Sequence, residues 1–184
     1  ATFRSRDMSR LSFSVVINSY NRSTSLAVTL DSLRFQNHRR FEVVVVNGPS
    51  TDSSGELLAR WNDRVKVGSC PVTNLSVSRN IGIAMSSGDV VAFIDDDAVP
   101  EPEWLDQLEA GYSSDDVGAV GGMVFNHTGY DFQAKYILCN RMGDARLDFA
   151  ANPSDLYNFP GSRWYCSLPA SPKCAYPATV PSFT

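Results

Sequence analysis

Short apolar runs rich in β-branched residues alternate repeatedly with stretches whose apolar residues recur at helical spacing. Phe13 to Ile17 predicts a first strand, and Leu26, Leu30 and Leu33 then lie on one face of a helix. This alternation is typical of a mainly parallel sheet with helices on both faces, because parallel neighbours need a crossover connection and a helix supplies it. The expected fold is therefore α/β and Rossmann-like.

The later units repeat the pattern. The expected strands are Phe41 to Val46, Val65 to Val67, Val90 to Ile94 and Val117 to Phe125. The expected helices bury Leu57, Leu58 and Trp61, then Leu75, Ile81 and Met85, and then Trp104, Leu105 and Leu108. The predicted helix boundaries are a capping box from Ser53 and Glu56, an N-cap at Asn74, a stop at Gly88 and a start near Pro102.

Length and composition favour one domain, with 184 residues of which 43% are hydrophobic. We divide it into a polar arm (1–10), a core (11–128) and an irregular, aromatic-rich segment (129–184) that ends in a coil tail from Ala170. The longest apolar runs are far shorter than the roughly 20 residues of a membrane-spanning helix, and the arm lacks the apolar part of a secretion signal. We expect a cytoplasmic protein, or one peripheral to the inner face of a membrane.

The charge balance argues against a nucleic-acid partner. The formal net charge is −4, whereas nucleic-acid surfaces carry a basic stripe. A phosphorylated ligand would have to be held locally, by a metal ion or by a few arginines. No Gly-x-Gly-x-x-Gly follows the first strand and no Gly-Lys-Ser/Thr phosphate loop occurs, which disfavours dinucleotide-binding and P-loop proteins.

Three successive aspartates, Asp95, Asp96 and Asp97, follow the strand that ends at Ile94. Like charges so close together raise one another's pKa unless a cation neutralises them, and magnesium or manganese ions prefer carboxylate oxygens. The alternative is a solvated turn in which Asp97 or Glu101 caps the next helix. The aspartates alone leave the two interpretations level.

The sequence around the aspartates resembles family 2 glycosyltransferases. Phe93 to Pro100 (FIDDDAVP) resembles their Asp-x-Asp segment, Val15 to Arg22 (VVINSYNR) their opening strand and nucleotide loop, and Leu75 to Ile83 (LSVSRNIGI) their Ala-Arg-Asn-x-Gly helix, which leads through Ser87-Gly88-Asp89 into the acidic strand. The resemblance covers most of residues 13 to 125. It implies the GT-A fold, with 11–128 as a nucleotide-sugar-binding core and 129–184 on the acceptor side.

The resemblance also implies roles for residues. Asp95 would contact the ribose or the sugar, Asp97 would hold manganese or magnesium on the donor diphosphate, and Asp96 would assist. The implied donor-binding residues are Ser19, Tyr20, Asn21, Arg22, Asn47, Arg79, Asp95 and Asp96. A guanidinium such as that of Arg79 can pair with diphosphate oxygens, although a surface arginine paired with an acid is the alternative.

One departure concerns the nucleobase. Family members usually carry an acid in a Val-Asp-Asp-Gly-Ser turn after the second strand, where this chain has Asn47-Gly48-Pro49-Ser50-Thr51-Asp52. An amide both donates and accepts hydrogen bonds, so Asn47 could still read a base, with a UDP-sugar as the expected donor. We expect Asp52 to cap the helix that contains Leu57 rather than to contact the base.

A second departure concerns the general base, which the family supplies from a motif well after the acidic strand. This chain has no match, so its catalytic residue stays unassigned and its carboxyl end looks truncated or altered. The later carboxylates are expected to be surface or turn residues: Asp131, Asp144, Asp148 and Asp155. The implied activity is inverting, metal-dependent sugar transfer of the hexosyltransferase type to a saccharide or other hydroxyl acceptor, impaired by the missing base. A homo-oligomer is compatible with the sequence.

Two other functions use clustered aspartates or the same fold. A phosphoacceptor signalling module would need acids after the first strand and a lysine after a late strand, and the sequence offers neither. A non-catalytic nucleotide-binding or partner-binding protein on the same fold is the stronger alternative, since a fold does not fix a function.

Overall fold

The structure is a computed structural model that describes residues 11–112 and 117–121 with their side chains, and the backbone of six further short strands between residues 124 and 176. Its first part alternates strictly between strand and helix. The elements are β1 (Phe13–Ser19), α1 (Ser23–Leu33), β2 (Phe41–Asn47), α2 (Ser54–Trp61), β3 (Lys66–Ser69), α3 (Leu75–Met85), β4 (Val90–Asp95) and α4 (Trp104–Gly111).

Seven short strands follow α4. They are β5 (Ala119–Gly121), β6 (Val124–Phe125), β7 (Phe132–Ala134), β8 (Ile137–Cys139), β9 (Ala145–Leu147), β10 (Ser162–Trp164) and β11 (Lys173–Tyr176). The prediction of one strand over Val117 to Phe125 was wrong, because β5 joins the large sheet whereas β6 pairs with β7. The predicted coil from Ala170 was also wrong at β11, which pairs in parallel with both β4 and β5.

The large sheet has the strand order β10-β5-β11-β4-β1-β2-β3. Its pairings are parallel except that of β10 with β5. In register, Asn18 of β1 lies opposite Asp95 of β4, and Ser19 lies opposite Asn47 of β2. The carboxyl ends of β1, β2 and β4 therefore meet at one edge, as expected of a mainly parallel sheet.

Helices cover both faces of the sheet, which confirms the predicted architecture. The larger core joins α1, α2 and α4 to alternate strand residues such as Val15, Ile17 and Val45. The smaller core joins α3 to the intervening residues, among them Val16, Val44 and Phe93. Within the described residues, no helix combines the length and the apolar character that crossing a membrane would require.

The third strand–helix unit departs most from prediction. The strand runs over β3 instead of Val65 to Val67, and α3 ends at Met85, before the expected stop at Gly88. Leu75 was expected in the core but is 54% exposed. The buried residues of α3 are Ser78 and Gly82, so the helix approaches the sheet through small side chains.

Candidate active site at the carboxyl edge of the sheet

The acidic run begins where β4 ends. Asp95 is the last residue of β4, and the Ala98 N–H donates to the Asp95 carbonyl oxygen at 3.2 Å, which closes a turn around Asp96 and Asp97. Because side chains alternate along a strand, Asp95 shares the α3 face of the sheet with Phe93. The turn thus gathers three carboxylates at one corner, with Asp95 exposed and Asp96 buried.

Asp96 is the buried member of the run, at 8% exposure. The Thr29 hydroxyl of α1 donates to the Asp96 carbonyl oxygen at 3.0 Å and fastens the turn to the helix. Burial raises the pKa of the Asp96 carboxyl. A hydrogen bond from Ser19 and the charge of Arg22 lower it, and the charges of Asp97 and Asp95 raise it further. The buried Asp96 carboxyl therefore holds its proton more tightly than an exposed aspartate does.

Arg22 is the cation that faces this charge among the described residues. Its Nη1 donates to Asp97 Oδ2 at 2.5 Å and lies 4.0 Å from Asp96 Oδ1. The Arg22 side chain is 53% exposed, compared with 26% for Asp97 and 11% for Asp96. A single guanidinium thus bridges two carboxylates from the solvent side.

The loops after β1 and β2 are joined by hydrogen bonds beside Arg22. Asn21 has a positive φ of 54°, a left-handed conformation that asparagine tolerates better than most residues. Its N–H donates to the Ser50 hydroxyl at 3.0 Å, and its side-chain oxygen accepts from the Thr51 N–H at 2.7 Å. Asn21 was predicted to bind the donor, but its side chain is engaged in holding the loop.

Asp52 fastens two helix starts at once. Its carboxylate accepts from the Ser54 N–H of α2 at 3.0 Å and from the Ser23 N–H of α1 at 2.8 Å. Hydrogen bonds from Ser54 and from the Ser23 backbone lower the pKa of Asp52 to about 2. The capping role predicted for Asp52 is thus present, whereas the predicted capping box is not, because Ser53 makes no cap hydrogen bond and its hydroxyl donates to Ser23 Oγ instead.

A cleft of about 280 Å³ opens between the ends of β1 and β2 and the start of α3. Asn74 caps α3 as predicted, accepting from the Val77 N–H at 3.1 Å. The lining side chains are all uncharged, and include Asn18, Ser19, Tyr20, Gly48, Asn74 and Ser78. The cleft therefore suits a neutral group that forms hydrogen bonds.

Asn18 and Ser78 were not predicted as site residues. The Asn18 amide donates to the Ser78 hydroxyl at 2.6 Å and joins the end of β1 to α3 at the floor of the cleft. The sequence does contain a signal for Asn18, because it lies two residues after Val16 and so shares the α3 face of β1. Nothing comparable marks Ser78 before α3 is placed on the sheet.

Two predicted donor-binding residues, Asn47 and Arg79, make other contacts. The Asn47 side-chain oxygen accepts from the Ser50 hydroxyl at 2.8 Å, and Asn47 is not among the residues that line the cleft. The Arg79 guanidinium lies 5.6 Å above the centre of the Phe93 ring, where it can form a cation–π contact. The structure thus brings Ser19 and Tyr20 to the cleft and Arg22 to the acidic run, and leaves Asn47 and Arg79 beside them.

A second group of titratable side chains, His38, Asp106 and Glu109, lies near the amino-terminal ends of the strands. The Arg40 N–H donates to His38 Nδ1 at 3.2 Å, so the hydrogen of a neutral His38 ring lies on Nε2, which faces Glu109 at 3.5 Å. A nitrogen that carries a hydrogen cannot ligate a metal ion. Since Glu109 also accepts from the Leu11 N–H, this group has a structural role.

The acidic run fits a divalent metal ion. Its carboxylates are the hard oxygen ligands that magnesium and manganese prefer. Burial, together with the charges of Asp97 and Asp95, raises the pKa of Asp96, so a cation at this corner would stabilise its ionised form. Asp97 and Asp95 are both accessible from solvent. The site therefore combines an anionic corner that can take a cation with a neutral cleft next to it.

The chain is similar in sequence and fold to known glycosyltransferases. A glucosyl-dolichyl phosphate glucuronosyltransferase of Haloferax volcanii is 35% identical over 117 residues, which are 60% of this chain and 37% of that protein. Staphylococcus aureus TarS, solved with UDP, superposes with a TM-score of 0.52 at 25% identity, over 61% of this chain and 36% of TarS. The mannosyltransferase PcManGT of Pyrobaculum calidifontis has the same fold, with a TM-score of 0.57 at 22% identity over 64% of this chain and 36% of its own.

The chain spans well under half the length of the curated relatives it matches, for example 35% and 28% of two others. The family model described as "Glycosyl transferase family 2" matches residues 14–167. That match includes all but the first residue of β1, the strands β2 to β10, the acidic run and the cleft, and it ends before β11. The chain belongs to glycosyl transferase family 2.

Proposed function

We propose that this chain binds a nucleoside-diphosphate sugar, with UDP as the expected nucleotide, in an enzyme that transfers the sugar to a hydroxyl acceptor. The observation that carries the proposal is the pairing of a neutral cleft with an acidic corner at the carboxyl edge of a parallel sheet, where ligands of such sheets bind. Solved forms of TarS contain UDP or UDP-GlcNAc, which supports a uridine nucleotide.

The base would enter the cleft and the diphosphate would lie toward the acidic run. Tyr20 is 44% exposed at the cleft and offers an aromatic surface. Asn18, Asn74 and Ser78 offer amide and hydroxyl groups that can read hydrogen bonds on a base. Asp95 lies on the same face of the sheet as α3, so it can reach the ribose or the sugar of a donor that occupies the cleft.

A divalent metal ion would be held by Asp97, with Asp95 and Asp96 contributing negative charge. Manganese or magnesium bound there would offset the charge of the leaving nucleoside diphosphate. PcManGT was solved with GDP-Man and Mn²⁺, which supports a metal in this fold. Arg22 is close enough to the same corner to pair with diphosphate oxygens.

Transfer would proceed with inversion, by direct attack of a base-activated acceptor hydroxyl on the anomeric carbon. No residue of this chain matches the motif that supplies the base in the family. General-base catalysis contributes roughly 100-fold to 10,000-fold, so we expect donor binding and slow donor hydrolysis to exceed sugar transfer. The cytoplasmic or membrane-peripheral location, the acceptor and a homo-oligomer stay predictions.

Isothermal titration calorimetry tests the donor site directly. We would titrate nucleoside diphosphates and their sugars into the protein with Mn²⁺, with Mg²⁺ and with a chelator. We expect one nucleotide to bind in a metal-dependent manner, and Asp97→Asn to abolish that binding. The matched control is Asp63→Asn, which removes the same charge from an exposed position and should bind normally. A folded wild-type chain that binds none of the nucleotides would contradict the proposal.

A further inference from the structure

The Arg22 guanidinium occupies Asp97 Oδ2, one of the two oxygens through which Asp97 could ligate a metal ion. Its Nη1 approaches Asp97 Oδ2 at 2.5 Å, and a divalent cation on the same carboxylate would lie close enough to repel it strongly. The two cations therefore compete for Asp97 Oδ2. A metal ion that ligates this oxygen requires that Arg22 leave it.

The side chain of Arg22 is free to leave although its backbone is fixed. The Arg22 carbonyl oxygen accepts from the Leu26 N–H in the first turn of α1, and Asp52 holds the Ser23 N–H. Asn21, on the other side, is fastened to Ser50 and Thr51. In contrast, the guanidinium is half exposed, and within the described part of the chain it forms ion pairs with Asp97 and Asp96.

A diphosphate gives the displaced guanidinium a new partner. Arginine binds phosphate oxygens through two parallel hydrogen bonds, and it keeps its charge at any pH at which the protein is folded. A metal ion without a diphosphate would displace Arg22 into solvent, whereas a metal ion with a diphosphate would displace it onto an anion. The two ligands should therefore help one another to bind.

We propose that Arg22 is a positioning residue that neutralises Asp97 until the donor arrives, and so makes metal binding depend on the diphosphate. This inference rests on the proposed function, because it takes Asp97 as the metal ligand. The inference goes beyond the proposed function because it assigns to Arg22 the coupling between metal binding and diphosphate binding.

The test is Mn²⁺ binding without nucleotide, followed by electron paramagnetic resonance of free Mn²⁺. Arg22→Gln removes the competing cation, and we expect it to bind Mn²⁺ about threefold to fivefold more tightly than wild type, as for an exposed ion pair. Arg34→Gln is the matched control, because Arg34 follows the last turn of α1 and pairs with Asp31. It removes the same charge far from Asp97 and should leave Mn²⁺ affinity unchanged.

UDP supplies the second arm. In wild type, saturating UDP should raise the apparent affinity of the protein for Mn²⁺ by at least about tenfold, within the range typical of coupled sites. The Mn²⁺ that UDP binds on its own is measured without protein and subtracted. Arg22→Gln should reduce that gain severalfold, whereas Arg22→Lys, which keeps a cation, should retain part of it. Thermal melts would verify that each variant is folded, and Arg22→Lys serves as the test if Arg22→Gln does not fold.

The outcomes separate this inference from the proposed function. Unchanged Mn²⁺ affinity in folded Arg22→Gln, or a gain that Arg34→Gln shares, would overturn the role of Arg22, even if wild type binds UDP. A gain in Mn²⁺ affinity that Asp97→Asn abolishes in the Arg22→Gln background would support it. If that gain appeared while no nucleotide bound, Arg22 would still compete with the metal ion for Asp97, but both its coupling role and the donor-binding function would be overturned.

Discussion

Replacing Gly82 by alanine tests how closely α3 must approach the sheet. A Cβ atom at Gly82 would lie 2.4 Å from Val16 Cγ1 and 3.4 Å from Val46 Cγ2, and both valines are fully buried. Alanine in place of a mid-helix glycine would by itself stabilise the helix by roughly 1 kcal/mol. Overpacking a core costs about 1–3 kcal/mol, and a contact this short with a stiff β-branched side chain belongs at the upper end.

The net effect of Gly82→Ala is therefore a loss of about 2 kcal/mol in the free energy of unfolding, the difference between these opposing contributions. At roughly 2–4 °C per kcal/mol for a chain of this size, the melting temperature should fall by roughly 4–8 °C. Differential scanning calorimetry and urea unfolding would measure both quantities. Because α3 also carries Ser78, whose hydroxyl accepts from Asn18, nucleotide binding should weaken as well.

Gly55→Ala is the matched control for Gly82→Ala. It is the same substitution in a helix, α2, but no atom outside the helix lies within 4 Å of the added Cβ. We expect it to stabilise the protein by roughly 0.5–1 kcal/mol, since it restricts the unfolded chain without a clash. If Gly82→Ala stabilised the protein as much as Gly55→Ala does, the close approach of α3 to β1 would not be a constraint, and this reasoning would be refuted.

Three further predictions concern carboxylates and are checked by thermal melts. Burial raises the pKa of Glu42, but hydrogen bonds from Lys66 and two serines outweigh it and lower the pKa to about 2. The stability that ionised Glu42 contributes is present above about pH 4.5 and is lost as the pH falls toward 2. Glu42→Gln should therefore flatten the acid side of the pH–stability curve. Asp52→Asn should lower the melting temperature and speed amide hydrogen exchange at the starts of α1 and α2. Burial raises the pKa of Asp96, so the stability that its protonated form contributes is lost as the pH rises through that pKa. Asp96→Asn should therefore raise the melting temperature at pH 7 and should give no gain at a pH below about 4.

The strands and helices with a clear periodicity were predictable. The apolar residues of α1 and α4 recur at helical spacing, and the structure buries them: Leu26, Leu30, Leu33, Trp104, Leu105 and Leu108. β1, β2 and β4 are short apolar runs that end in polar residues, and their predicted bounds agree with the structure to within two residues. These elements are stabilised by burial against a neighbouring layer, and such burial requires apolar residues at a regular spacing that is visible in the sequence.

Elements fixed by distant partners were not predictable. Lys173–Tyr176 is a four-residue segment with no periodicity, and it becomes a strand because it fits between β4 and β5. Leu75 lies at helical spacing from the core residues of α3, but it belongs to the first turn, at the rim of the cleft, where the sheet no longer covers it. Such positions depend on how the layers are arranged, which local pattern does not encode.

The position of Asn47 shows why a residue at a strand end can be named from sequence and still be given the wrong neighbours. The apolar run from Val43 to Val46 is buried on both faces, so apolar and polar residues do not alternate along it. The sequence therefore does not indicate on which face of the sheet Asn47 lies. In the structure Val44 and Val46 pack against α3, whereas Val45 packs on the opposite side. Asn47 follows the parity of Val45, away from the α3 side on which the cleft opens, and its amide oxygen binds Ser50. Recognition of the base by this chain would therefore rest on the neutral groups of β1 and α3, and Asn47→Ala should loosen the loop at Ser50 more than it changes the choice of nucleotide.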